Sequence, residues 1–180
     1  MVLAGQDHAA PWATKAHSHA LDAFASPGRG PVGVVAGGRP SFQAPPERPA
    51  PLAVAHASAE VALVKAAAGA ADTPLRAAIE AGVDGLVIEG SGLGHVPAGW
   101  MPAVRAAVGA GIPVVRTSRA AAGGTGVVYD GPGGDTDLRA AGVLDGGERS
   151  PRPPVLAARI ELICALGAGL DGDGLRARFQ

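Results

Sequence analysis

The chain is poor in everything that would mark a nucleic-acid, membrane or disulfide-built protein. Among its 180 residues stand two tryptophans, one tyrosine and three phenylalanines. Fifteen basic residues face sixteen acidic ones and nowhere gather into a stripe, which removes the electrostatic basis for binding nucleic acid or an anionic membrane. One cysteine, Cys164, cannot close an internal disulfide; in the apolar run LICAL it is expected to be a buried, inert thiol. No uncharged apolar run is long enough to span a bilayer, because the best stretch, Gly90 to Val104, is broken by glycines, prolines and His95. The opening MVLAGQDHAA has no basic start and meets Asp7 and His8 early, so no signal peptide is read and a soluble, cytoplasmic chain is expected.

What the chain has in abundance is glycine, proline and small apolar residues. The 28 glycines and 16 prolines make up about a quarter of it, yet 47% of residues are hydrophobic and they recur with strand and helix periods. The segment APPERPAP, residues 44–51, holds four prolines in eight residues and reads as an extended connector. Before it, GPVGVVAGGRPSF predicts a hairpin of Val32–Val35 and Pro40–Phe42 around a Gly-Gly turn, marginal if isolated. Residues 1–43 therefore look like the end of a domain, weakly packed on their own.

From residue 52 onward strands alternate with helices. EVALVK (Glu60 to Lys65) is the first strand, and a helix follows in which Asp72 or Thr73 caps and Pro74 occupies the first turn. DGLVIEG is a strand apolar enough for burial on both faces. A second helix begins around Pro97 to Trp100 and ends at Gly109 to Gly111. Ile112 to Ser118 is a third strand and VVY, residues 127–129, a short fourth. A helix from Val155 to Gly169 is expected to bury Leu156, Ile160, Ile163 and Leu166, and a last helix occupies GDGLRARFQ. The fold class is α/β: a small parallel sheet with right-handed crossovers and helices on both faces.

Few residues carry chemistry by pattern alone. GSGLG (Gly90 to Gly94) sits between a strand and a helix, but the third fingerprint glycine is replaced by His95 and no acid follows Glu89 before Asp130, so the dinucleotide fingerprint fails. His17 and His19 lack companions for a metal site and read as solvated or hydrogen-bonded. Arg116 to Arg119, RTSR, puts two cations and two hydroxyls at a strand end, which could bind an anion or pair with acidic neighbours, and pairing is the expectation. The G-x-S-x-G, H-E-x-x-H and phosphate-loop patterns are all missing. Lys15, beside Thr14 and upstream of LDAF, is the remaining candidate for proton transfer, although by itself a surface lysine.

Several segments together resemble the bacterial L-asparaginase family. ATKAHSHALDAFASPGRGPVGVV (residues 13–35) is similar to the family's TKT-x-T-x-x-x-AF-x-S-x-x-x-GPLG segment, and residues 81–104 to its AGxxGIVxxGxGxGNVP stretch. Residues 111–130 resemble its VV-R-S-S-R segment, ARIELICAL its ARVLLxLAL helix, and LRARFQ its closing turn. The resemblance implies a two-domain α/β enzyme hydrolysing L-asparagine, and in some members L-glutamine, to the acid and ammonia, with no cofactor and no metal. It divides the chain into an N-terminal catalytic-domain remnant (1–43), the linker (44–51) and the C-terminal domain (52–180).

The same resemblance assigns the catalytic lysine to Lys15 and, across the glycine-rich segment, the substrate-binding glutamate to Asp130. The family's nucleophile motifs, TGGTI and GTDT, do not occur here, and its substrate-binding asparagine falls in Ala66 to Asp72, which contains none. PRPPV (Pro151 to Val155) departs from the family as an insertion. A neighbouring subunit completes each family site, which implies a homo-oligomer at full length. The chain is thus expected to be the C-terminal portion of an amidohydrolase, inactive alone. The competing reading is a non-catalytic module for small-molecule or subunit binding.

Overall fold

The computed structural model describes residues 1–43, 50–121, 123–128, 131–146 and 155–179. It contains two compact units, Met1–Pro51 and Leu52–Gln180.

The first unit is built from short antiparallel strands: β1 (Val2–Leu3), β2 (Gln6–Asp7), β3 (Thr14–Lys15), β4 (Phe24–Ala25), β5 (Gly33–Ala36) and β6 (Arg39–Phe42). Strands β1, β2, β5 and β6 form one sheet in that order, and β3 pairs with β4 separately. Gly37 and Gly38 both take positive φ between β5 and β6, the conformation a two-residue hairpin needs. The expected hairpin is present, shifted by one residue, and β2 extends it by pairing with β5. Little apolar surface is enclosed here: Ala23 is the buried hydrophobic residue, and His8 is buried with its Nδ1 3.0 Å from Ser26 Oγ.

The second unit holds β7 (Val61–Lys65), α1 (Thr73–Glu80), β8 (Gly85–Gly90), α2 (Met101–Gly109), β9 (Val114–Ser118), α3 (Asp135–Ala140), β10 (Leu144–Asp145), α4 (Val155–Gly167) and α5 (Gly172–Phe179). The sheet order is β10-β9-β8-β7, parallel throughout. Alternate residues of each strand feed two cores. Leu86, Ile88 and Val114 pack with Leu75 of α1, Met101 and Val104 of α2 and Leu138 of α3. Val61, Val87 and Val115 pack on the other face with Leu162 and Ala165 of α4 and Leu175 and Phe179 of α5. The apolar runs GLVI and VV thus serve a sheet covered on both sides, as the sequence pattern implies.

The structure differs from the sequence expectations in several places. Val127 and Val128 of VVY are exposed and outside any strand, with Tyr129 beyond the described residues; the fourth strand is β10, after a six-residue helix too short to leave a periodic signal. On α4, Leu156 and Ile160 are exposed while Ala158, Leu162, Ile163 and Ala165 are buried. That helix is apolar nearly all round, so periodicity could not choose its face; small alanines let it lie close to the sheet, where the Leu162 side chain sits over Gly85. Cys164, beside that buried face, is half-buried and free. The cap also differs in detail: Asp72 occupies the N-cap of α1, but its carboxylate pairs with Arg76 at 2.7 Å and makes no capping bond to the backbone. Residues 44–49 of the linker and 151–154 of the insertion lie outside the described residues.

The two faces of α4 give a direct check. Leu162→Ala should cost about 2–5 kcal/mol in urea unfolding, as deletion of a fully buried leucine does, whereas Leu156→Ala should stay within about 0.5 kcal/mol. Equal costs would return the buried stripe to Leu156 and Ile160.

Candidate functional site

Near the carboxyl edge of the parallel sheet lie the buried polar residues of the second unit, Arg116, Thr117, Thr125, Asp135 and Asp145 among the described residues. At the end of β7, Lys65 Nζ lies 2.9 Å from Glu89 Oε2 of β8, an ion pair half open to water. Buried Trp100 donates from its Nε1 to the carbonyl of Ala70 at 2.8 Å, holding the segment after β7.

The GSGLG segment after β8 folds back on itself. Ser91 and His95 exchange backbone hydrogen bonds at 2.9 Å each, and Gly94 N–H donates to Ser91 O at 3.0 Å. A Cβ at Gly90 would collide with the Gly94 backbone, and Gly94 itself has φ +88°. These glycines therefore close a tight turn. The N–H groups of residues 91, 94 and 95 are consumed within it, so they do not form the open cradle of donors that a dinucleotide phosphate requires.

The strongest electrostatic feature lies under the turn that follows β9. Arg116, 1% exposed, donates from Nη2 to Asp135 Oδ1 and, at 2.5 Å, to Asp145 Oδ2. Arg139 donates from Nε to Asp135 Oδ2 at 2.9 Å, and the Thr125 hydroxyl donates to Asp145 Oδ1 at 2.5 Å. Two guanidinium groups thus stand against two buried carboxylates. Arg116 was expected to meet acidic partners, and it does; Asp135, Asp145 and Thr125 escaped the sequence reading because they come from α3, β10 and an irregular segment. The readable signal was the acidic first turn of α3 ahead of Leu138, with Gly142 (φ +84°) after the helix.

The hydroxyls of this edge are engaged. Thr117 Oγ1 donates to Ile88 O at 3.3 Å, Ser91 Oγ to His95 O at 3.3 Å, and Ser118 Oγ to Gly92 O. Each ends on a carbonyl, so none of these three is presented to a base as a nucleophile would be. The sheet also runs in one direction, β7 to β10, without a reversal of strand order, and so forms no crevice between diverging crossovers of the kind that seats ligands in doubly wound sheets. A cavity of about 640 Å³ does exist, but Asp84, Ile112, Leu144, Leu170 and Arg176 line it at the opposite, amino edge.

Lys15 lies in β3 of the first unit, paired in register with Phe24; its side chain is exposed and makes no ion pair among the described residues. Asp130 lies outside the described residues. His17 Nδ1 accepts the N–H groups of His19 and Ala20 at 3.2 and 3.1 Å, and the two imidazoles meet edge to face, 4.6 Å apart. That lone pair is committed to a turn. No cluster able to hold a metal ion occurs among the described residues.

The family model of the glutaminase/asparaginase C-terminal domain matches residues 60–179, essentially the whole of the sheet and its helices. The chain belongs to the glutaminase/asparaginase family. Its relatives include an L-asparaginase of Bacillus licheniformis, 34% identical over 98 residues, which cover 54% of this chain and 29% of that protein. L-asparaginase 2 of Escherichia coli is 31% identical over 130 residues, 69% of this chain and 36% of that protein. A glutamyl-tRNA(Gln) amidotransferase subunit of Methanosarcina mazei is 37% identical over 107 residues, 59% of this chain and 24% of that protein. The chain thus spans about a quarter to a third of the length of these curated relatives. Among the described residues, no helix of this family member is long and apolar enough to cross a membrane.

Removing Arg116 would strip Asp135 and Asp145 of a guanidinium that is 1% exposed and paired with both. Arg116→Met should therefore destabilise the second unit by about 3–5 kcal/mol in chemical unfolding. A change below about 1 kcal/mol would show that the cluster is solvated in solution.

Proposed function

We propose that this chain provides the C-terminal portion of an asparaginase-type amidohydrolase that converts L-asparagine to L-aspartate and ammonia, with L-glutamine as an alternative substrate. The observation that carries the reading is the family match across residues 60–179, preceded in the same chain by the collinear TK…LDAF segment. In this reading residues 1–43 are the end of the catalytic domain, 44–51 the linker and 52–180 the C-terminal domain. Lys15 is the proton-transfer lysine. It needs a threonine and an aspartate from the GTDT motif to act, and the acyl-accepting threonine from TGGTI; both motifs must come from outside these 180 residues.

The carboxyl edge of the second unit, with Asp130 in the segment following β9, is the face that meets substrate. Its engaged hydroxyls and its lack of a crevice favour an auxiliary role for this unit, in which orientation comes from here and bond-breaking groups from elsewhere. Completion by a neighbouring copy would make the working form a homo-oligomer. The similarity to the amidotransferase of Methanosarcina mazei favours a second reading, in which the released amide nitrogen passes to a partner chain.

Ammonia release from L-asparagine and L-glutamine separates these readings. The chain alone should release none. Mixed with a separately expressed segment carrying the TGGTI and GTDT motifs, it should hydrolyse L-asparagine, and Lys15→Ala should lower that rate at least about a hundredfold. Unchanged turnover in the variant would remove Lys15 from the mechanism. Specific L-asparagine binding without hydrolysis in any combination would instead make the chain a binding module.

A further inference from the structure

The two segments that cover the carboxyl edge are tied to each other as well as to the sheet. Ser118 Oγ donates to Gly92 O, Arg119 N–H to Gly90 O at 2.9 Å, and Val96 N–H to Gly133 O at 3.0 Å. Thr125 has its methyl against Gly94, where a Cβ would stand 2.7 Å from Thr125 Cγ2, and its hydroxyl on buried Asp145. Thr125 is 5% exposed, although Val127 and Val128 nearby are among the most exposed hydrophobic residues of the chain. One threonine thus plugs an irregular, glycine-rich segment into a charge cluster whose other members, Arg116 and Asp135, sit on the sheet and on α3.

We propose that Thr125 is a positioning residue: through Asp145 and Arg116 it fixes the segment after β9 and, by contact with Gly94, locks the turn after β8 to it, so that the substrate-facing edge is preformed. Glycines at 123, 124 and 126 all take positive φ and leave the backbone few side chains with which to hold itself, so its order must be imported. A hydrogen bond to a buried carboxylate already oriented by a guanidinium supplies that order at little entropic cost, because its acceptor does not move. The turn at 90–95 gains support from the same residue through the contact of Gly94 with the Thr125 methyl. The role of this edge in meeting substrate rests on the function proposed above, whereas the locking itself does not.

Amide hydrogen exchange on the full chain tests the locking with no substrate present, so its outcome is independent of whether the chain hydrolyses anything. Thr125→Val keeps the shape and removes the hydroxyl. Exchange at residues 123–128 and 90–95 should quicken roughly ten- to a hundredfold, the range that follows from losing a charge-assisted hydrogen bond, while β7, β8 and β9 keep their protection. Thr125→Ser, which keeps the hydroxyl and the Asp145 bond, should restore protection at 123–128. A second variant, Ser118→Ala, should loosen 90–95 and leave 123–128 protected. Unchanged exchange in Thr125→Val would overturn the proposal. So would loosening spread evenly over the unit, since that would mark Thr125 as ordinary core.

Discussion

The burial of Arg116 is the constraint around which the second unit is arranged. A guanidinium taken out of water between strands is tolerable only where carboxylates meet it, and here Asp135 and Asp145 do so from two later elements. Its Nη1 is buried without a hydrogen-bond partner among the described residues, so the pairing rests on Nη2. To satisfy it, α3 must present its first turn to the sheet and β10 must pair beside β9 in the register that sets Asp145 opposite Arg116. The short fourth strand, only two residues long, is thus held as much by charge as by its ladder.

From that arrangement follows the asymmetry of the sheet. Strand order advances steadily from β7 to β10, so the crossover helices α1, α2 and α3 share one face and α4 and α5 close the other. A sheet wound in one direction buries itself well but opens no crevice. Its carboxyl edge therefore offers a surface made of turns, held by the hydrogen bonds of Ser91, Thr117 and Ser118. The match to the glutaminase/asparaginase C-terminal domain spans this sheet and all of its helices, residues 60–179.

Local rules made much of this legible. Short apolar runs identified β7, β8 and β9; Pro74 marked a helix start; the Gly-Gly pair set the β5–β6 hairpin. Each depends on a conformation or a burial that a few neighbouring residues dictate. The failures are equally specific. VVY has strand-like composition, yet Val127 and Val128 find no neighbouring strand to pair with. α4 is apolar on too many sides for its sequence to choose between Ile160 and Leu162. Arg116 and its need for acidic partners were legible from the RTSR pattern, whereas Asp135, Asp145 and Thr125 were not, because later elements bring them to it.

By itself, then, the sequence determined the α/β class and the places where strands and helices begin, because these rest on residue type and short spacing. Tertiary structure alone decided which face of α4 is buried, which short run becomes the fourth strand, and which acids meet Arg116. Those choices join residues that stand 19 and 29 positions apart from Arg116, and only the packed sheet measures such distances.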